Sequence, residues 1–333
     1  MSLEVDIYKK NRIIYLNNTF NITINRLYSV LTTNIKRVSS SKTPNKKSII
    51  NNLVVQYNNN LKVLTQQLNI EINKVNTFKP VFNVSSTNKK KALLIGINYI
   101  GTPYQLSGCI DDTTRIKNCL EKFGFNKFTT ITDNTSVKPT KQNILREFKN
   151  FITSSVAGDI LFFYFSGHGS YTYDTSGDET DKRDEMIVSS DLRYVLDDEL
   201  KAILSNNMKD NVTVVGLFDS CHSGTMFDLK YNYLNSDNYD KYKENEKVSE
   251  CRGNVLMISG CMDSQTSSEA EIGNKIQGAV SWSFIESLKE KSYSLSWRGL
   301  LQSMRDLLKR DGFTQIPQMS TDSFYDIDSK VFL

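Results

Sequence analysis

The chain is poor in the residues that carry several common functions. Its 333 residues contain only five prolines and two histidines, so there is no proline-rich tract and no zinc-type histidine cluster. Five cysteines, at 109, 119, 221, 251 and 261, are an odd number with no CxxC spacing, which argues against a disulfide scaffold and fits a reducing compartment. No apolar run exceeds Ile160 to Phe165, far short of the ~20 residues that span a bilayer. The opening Met-Ser-Leu-Glu-Val-Asp lacks a basic flank feeding an apolar core, so no secretory leader is expected and the expected location is cytoplasmic. Hydrophobic residues at 39% and charged residues at 23% are ordinary for a globular protein and too apolar for a disordered one.

The modest net charge of +4 conceals a split, with residues 1–88 at +9 and residues 89–333 at −5. Such asymmetry points to two units. The basic, Asn-rich front is compatible with nucleic acid or an anionic membrane, yet charge runs are more often solvated faces, and neither partner is expected. Within it, Ile50, Val54, Tyr57, Leu61, Leu64 and Leu68 form a helical seam, and Phe20, Ile24, Leu27 and Leu31 repeat the spacing. Ser39 to Lys47 between them is turn-rich. The front therefore reads as a prodomain-like helical hairpin or, because Asn lowers helix propensity, a partly disordered segment.

From residue 89 the texture changes. Ala92–Ile97, Ile160–Phe165, Val212–Phe218 and Val255–Ser259 are short apolar runs that read as strands buried on both faces, hence a mostly parallel sheet covered by helices. Stretches near helical spacing lie between them: Leu106, Ile110, Ile116 and Leu120; Ile144, Leu145, Phe148 and Ile152; Leu300, Leu301, Met304 and Leu308. The expected fold over 89–333 is one α/β/α sandwich. Residues 230–251 are polar and irregular and read as a long exposed loop.

Both histidines follow a buried run, in Ser166-Gly167-His168-Gly169 and in Asp219-Ser220-Cys221-His222. Ligands of open α/β sheets bind at the carboxyl ends of strands, so a thiol and an imidazole from two strand ends can meet there for acyl transfer. His222 is the immediate neighbour of Cys221 and points away from it in an extended segment. His168 is therefore taken as the base, and His222 as a positioning or packing residue. The glycines around His168 let backbone approach a ligand, so the Gly169 and Cys221 amides are the candidate oxyanion donors.

YFSGHGS (164–170) and LFDSCHSGT (217–225), with LLIGINY (93–99), LSGCIDD (106–112) and MISGCMDSQTSSEA (257–270) in this order, closely resemble the metacaspases, caspase-like cysteine endopeptidases with a short connecting loop. The resemblance covers about residues 89–333. It implies a caspase-like fold and cleavage of proteins or peptides after Arg or Lys. It also implies that Asp112 and Asp219 are the acids of the substrate pocket, lined by Cys109, Ser166 and Ser259. A basic side chain withdrawn from water needs such carboxylates. Read without the family, Asp112 could instead complement the start of a helix. The family is often activated by calcium, and Asp184, Asp197, Asp198 and Asp228 match its calcium ligands; their spacing is no EF-hand. Tyr171 stands where Gln is common, and Ser189-Ser190 replaces a frequent proline before Asp191.

The reading is thus a calcium-stimulated, monomeric cysteine endopeptidase using Cys221 and His168, with calcium activating rather than catalytic. Self-processing is expected at Lys230, Lys241, Lys243, Lys247 or Arg252, or around Lys46, Lys47 and Lys89 to Lys91. The rivals are a paracaspase-like, calcium-independent arginine-specific protease and a non-proteolytic scaffold of the same fold.

Overall fold

The computed structural model describes residues 2–77, 89–173, 183–221, 223–233, 242–245, 247–260, 269–271, 276–323 and 325–332. The chain divides into two compact units, Met1–Val81 and Phe82–Leu333. The first unit contains α1 (Ser2–Ser40) and α2 (Lys46–Thr77). The two helices run antiparallel: Lys46 Nζ donates to the Ser39 carbonyl at 2.9 Å near the link, and Lys9 Nζ to the Asn76 carbonyl at 2.9 Å at the far end. The Tyr28 and Tyr57 rings meet edge-on with centroids 6.3 Å apart. Phe20, Ile24, Leu27 and Leu31 are half-buried, as are Ile50, Tyr57, Leu61, Leu64 and Leu68. Val54, expected in this seam, is exposed, and Leu53 is turned inward in its place. Steps of three and of four both stay on one helix face, so spacing alone does not separate the two.

The second unit is built, in chain order, from β1 (Lys90–Gly96), α3 (Cys109–Glu121), β2 (Lys127–Thr132), α4 (Lys141–Thr153), β3 (Ile160–Ser166), β4 (Gly169–Tyr173), β5 (Arg183–Val188), β6 (Tyr194–Leu196), α5 (Asp197–Asn207) and β7 (Thr213–Asp219). There follow β8 (Tyr231–Tyr233), β9 (Lys243–Glu244), β10 (Asn254–Ser259), β11 (Glu269–Glu271), β12 (Ile276–Gly278), α6 (Ala279–Glu290), α7 (Trp297–Arg310) and β13 (Gln318–Thr321). The main sheet has the order β2-β1-β3-β7-β10-β13-β8-β9. Its first five strands are parallel and its last three antiparallel.

Successive side chains of a strand point to opposite faces, and here both faces are dry. Leu94, Phe162, Tyr164, Leu217 and Ile258 face a core shared with α3, α6 and α7. Leu93, Phe163, Phe165, Val214 and Met257 face another shared with α4 and α5. A fully buried Leu or Phe contributes roughly 1.5–3 kcal/mol by leaving water, which explains why near-continuous apolar runs serve where alternation would not. The architecture is therefore a caspase-like α/β/α sandwich with a mostly parallel sheet. The 230–251 stretch, expected as an exposed loop, adds β8 and β9 to the sheet edge in its described part. Tyr231 and Tyr233 pack against Tyr242, with ring centroids 5.1 and 5.9 Å away, and Tyr233 is buried. These aromatic contacts are not visible in overall polarity.

Candidate active site

The strands β3 and β7 are hydrogen-bonded neighbours in parallel register, with Ser166 opposite Asp219. His168 and Cys221 each lie two residues beyond that pair, so the ladder sets their turns side by side at the carboxyl edge of the sheet. The Gly167 N–H donates to the Asp219 carbonyl at 3.4 Å. At Gly169 a Cβ would overlap the Cys221 carbonyl oxygen, so this close approach of the two turns requires glycine. Cys221 and His168 are both half-buried. His222, Lys241 and residues 261–268 of the fifth sequence block lie outside the described residues.

His168, the expected base, is held by a third group that the sequence motifs did not reveal. Nε2 of His168 lies 2.8 Å from the Tyr104 carbonyl oxygen. A carbonyl only accepts, so the partner assigns the proton to Nε2 and leaves the lone pair of the neutral ring on Nδ1. Tyr104 sits on a loop closed at its base by Asn98, whose carbonyl accepts from Leu106 N–H (2.8 Å) and whose Nδ2 donates to the Ser107 carbonyl (3.2 Å). Tyr99, in the same loop, lies with its ring centroid 4.7 Å from the His168 imidazole. Its hydroxyl accepts from the His168 N–H at 2.9 Å and donates to the Val188 carbonyl at 2.7 Å. Burial pushes the Tyr99 hydroxyl far above its usual range, so it stays neutral. The Ile-Asn-Tyr end of the LLIGINY block is the signal that could have found Tyr99; Tyr104 lies five residues beyond it, and its role is carried by a backbone carbonyl that no side-chain motif marks.

Asp112 and Asp219, the acids expected to line a substrate pocket, come together from different elements. Asp219 ends β7; one oxygen of its carboxylate accepts from the Ser281 N–H (2.8 Å) and the Ser281 hydroxyl (2.6 Å). The Ser281 proton is thereby committed, so Tyr164 donates to the Ser281 oxygen at 2.6 Å. Asp112, in the first turn of α3, accepts from Arg115 Nη2 and Nε at 2.6 and 3.1 Å on one oxygen and from the Gly278 N–H at 2.9 Å on the other. A Cβ at Gly278 would overlap the Asp219 carboxylate, so one glycine seats both acids. Burial and then the Asp219 charge push the Asp112 carboxyl up to about 7, against the pull of the Gly278 amide and Arg115. Both carboxyls are at least 95% hidden, at 1% and 5% exposure. Cys109, Ser166 and Ser259 are buried too, and Ser259, at the end of β10, has no hydrogen-bond partner for its hydroxyl among the described residues.

A second acidic group forms at the start of α5. Carboxylate oxygens of Asp197, Asp198 and Asp228 all lie within 4.8 Å of one another. Asp197 accepts from the Glu185 N–H (2.6 Å) and the Asp198 N–H (2.8 Å). Lys201 donates to the Asp228 carbonyl at 2.9 Å and to Asp322 at 2.8 Å. Asp184, buried on β5 next to Glu185, stands outside this close trio. Three hard oxygen donors at this separation could hold a cation.

Among the other expected residues, Tyr171 is exposed on β4. The Ser189 hydroxyl donates to Asp191 at 2.6 Å and accepts from the Arg193 N–H at 3.1 Å, bracing the turn where a proline is frequent. Lys230 pairs with Glu250 and Glu244 at 3.1 and 3.5 Å, while Lys243, Lys247 and Arg252 are exposed.

Comparison with known proteins shows the family. The family model of the metacaspase, peptidase C14 domain matches residues 90–230. Metacaspase-1A of Aspergillus terreus is 35% identical over 73% of this chain and 72% of its own. Metacaspase-1 of Botryotinia fuckeliana is 36% identical over 70% of this chain and 68% of its own. The crystal structure of protein GSU0716 from Geobacter sulfurreducens superposes with a TM-score of 0.56 at 26% identity, covering 73% of this chain and 98% of that one. This kinship supports a cysteine-endopeptidase role, and the chain belongs to the metacaspase family of peptidase C14.

Proposed function

We propose that this protein is a cytoplasmic cysteine endopeptidase that cleaves peptide bonds after Arg or Lys and is stimulated by calcium. The observation that carries the reading is the contact of the Gly169 and Cys221 turns beside an imidazole whose Nε2 is tied to the Tyr104 carbonyl. In this reading Nδ1 of His168 takes the Cys221 thiol proton, and the thiolate sulfur attacks the scissile carbonyl carbon. The Gly169 and Cys221 amides receive the oxyanion. Protonated His168 then gives its proton to the leaving amine, which departs, and water activated by the same imidazole releases the acyl group and restores the thiol.

The buried acids supply the preference. Asp112 and Asp219 repel each other, and a guanidinium or ammonium brought up to them would relieve that repulsion while gaining charge-assisted hydrogen bonds. Asp197, Asp198 and Asp228 would hold calcium, with Asp184 the next acid along β5. A bound cation supplies positive charge that offsets their mutual repulsion. Asp228 lies seven residues past Cys221, so order at the trio reaches the nucleophile turn. Exposed Lys243, Lys247 and Arg252 are the sites offered for self-processing.

Fluorogenic peptides ending in Arg, Lys or Asp before the reporter, assayed with calcium or chelator and with Cys221→Ala as blank, test the reading. Calcium-dependent turnover of Arg and Lys peptides only is expected. Equal turnover in chelator would favour the calcium-independent rival, and no turnover under any condition the scaffold.

A further inference from the structure

Away from the catalytic turns, α3 and α6 enclose a separate cavity of about 240 Å³. Arg115 lines it from α3 and Lys122 from the residue just past that helix, Trp282, Glu286 and Lys289 from α6, and Tyr293 from the turn beyond. The volume lies just below that of pockets for drug-sized ligands, which suits a single ring. Two half-buried aromatic residues, Trp282 and Tyr293, offer an apolar wall. Three cations face one carboxylate, and that carboxylate, Glu286, is already bridged to Lys289 at 2.7 Å. Arg115 is paired with Asp112, so the positive charge in excess beside the aromatic surface is that of Lys122, which has no ion-pair partner among the described residues.

Arg115 belongs to both this cavity and the acid pocket. Its Nε and Nη2 hold Asp112, and Nη2 also reaches the Ile276 carbonyl at 3.3 Å. Nη1 takes part in none of its hydrogen bonds among the described residues, and the side chain remains 24% exposed. One planar guanidinium thus presents one edge to a buried acid and keeps donors for something else.

We propose that this cavity binds a small aromatic anion, an aryl phosphate or aryl carboxylate, and that the bound anion strengthens recognition of basic substrates through Arg115. The ring lies along Trp282 and Tyr293, and the anionic group meets Arg115 with Lys122 or Lys289. The coupling has a defined sign. Arg115 repels a basic side chain entering the Asp112 pocket, and an anion on its other edge offsets that repulsion. Opposite charges bound on either side of one guanidinium therefore favour one another, and by linkage each raises the affinity of the other equally. The binding half stands on the cavity alone; the coupling half rests on the assignment of Asp112 as a substrate acid.

Phenyl phosphate is the probe, titrated into the Cys221→Ala chain with tryptophan fluorescence as the readout. The only other tryptophan, Trp297, is buried in the core at 1% exposure, so the signal reports Trp282, and Trp282→Phe should remove it while calorimetry still detects binding. A saturable change is expected, with phenol and inorganic phosphate each binding about tenfold weaker or worse. Arg115→Gln and Lys289→Gln should each weaken phenyl phosphate about tenfold, as loss of a charge-assisted bond does. In the parent enzyme phenyl phosphate should lower KM for an Arg peptide about fivefold with kcat little changed. No saturable binding, equal binding of phenol, or undiminished binding by both Arg115→Gln and Lys289→Gln would overturn the site. Binding with an unmoved KM would overturn the coupling. Because the binding arm needs no turnover, an inactive parent would refute the peptidase reading and leave the cavity assignment standing.

Discussion

Two acidic regions of this molecule use the same side chain to different ends. The pair, Asp112 and Asp219, is anchored by donors already in the fold: the Arg115 guanidinium, the Gly278 and Ser281 amides and the Ser281 hydroxyl. The trio, Asp197, Asp198 and Asp228, gathers its oxygens within 4.8 Å at the first turn of α5, with backbone amides of Glu185 and Asp198 on Asp197. One region is a buried pair tied down by hydrogen bonds, which the proposed function assigns to a basic side chain of the substrate. The other brings hard oxygens from separate segments, where a small ion is the natural partner.

The comparison collapses if chemistry does not occur between His168 and Cys221, so the largest expected effect comes first. Cys221→Ala and His168→Ala should each lower peptide hydrolysis by about 10³-fold or more, measured against a fluorogenic Arg peptide, with circular dichroism unchanged. Retained activity in His168→Ala would move the base elsewhere.

Asp112→Asn should then lower kcat/KM for Arg peptides by roughly 10- to 100-fold, the loss of a buried charge-assisted contact. The parent should also show kcat/KM rising as pH passes upward through about 7, where the Asp112 carboxyl ionises, because only the ionised form attracts a guanidinium. The variant should lack that limb. The same group has a stability consequence. The unfolded carboxyl ionises near 4 and the folded one near 7, so folding retains a proton between them and stability falls as pH rises across that window. Urea midpoints of parent and Asp112→Asn from about pH 4 to 7 check the slope.

For the trio, Asp228→Asn or Asp198→Asn should raise the calcium concentration for half-maximal activity about tenfold while leaving the preference for Arg over Asp intact. A change in preference with no change in calcium response would merge the two regions. Chelation followed by calcium should remove and restore activity in the parent.

The smallest effect is expected at Tyr99. Tyr99→Phe leaves the His168 N–H and the Val188 carbonyl without their shared hydroxyl, at a cost of about 1–3 kcal/mol. A several-fold fall in kcat at constant KM, with a displaced acid limb of the pH profile, would mark Tyr99 as positioning the base. A lowered Tm alone would mark it as structural.

Legibility in the sequence followed burial. The runs that became β1, β3, β7 and β10 stood out because both faces of a central strand are dry. β2, with Lys127, Thr129 and Thr130 facing water, did not, nor did β8, whose tyrosines sit among Asn and Lys. Leu106, grouped with the α3 periodicity, lies outside the helix and packs from the preceding loop. Asp112, Asp219, Asp197, Asp198 and Asp228 could be named because each belongs to a short block. Arg115, Ser281 and Gly278 could not, since their roles exist only across the contact between α3 and the start of α6.

By itself the sequence determined the α/β/α class, the family and the two strand-end turns, because hydrophobic runs and contiguous motifs are local and survive in one dimension. Tertiary structure alone decided which carbonyl holds the imidazole, that Gly278 seats both acids, that three of the four acids expected to bind calcium close on one point, and that Arg115 looks both ways. Each of these is a hydrogen bond or charge contact between segments far apart in the chain. Such contacts depend on angles and distances of a few ångströms, which only the packed sheet and its helices set.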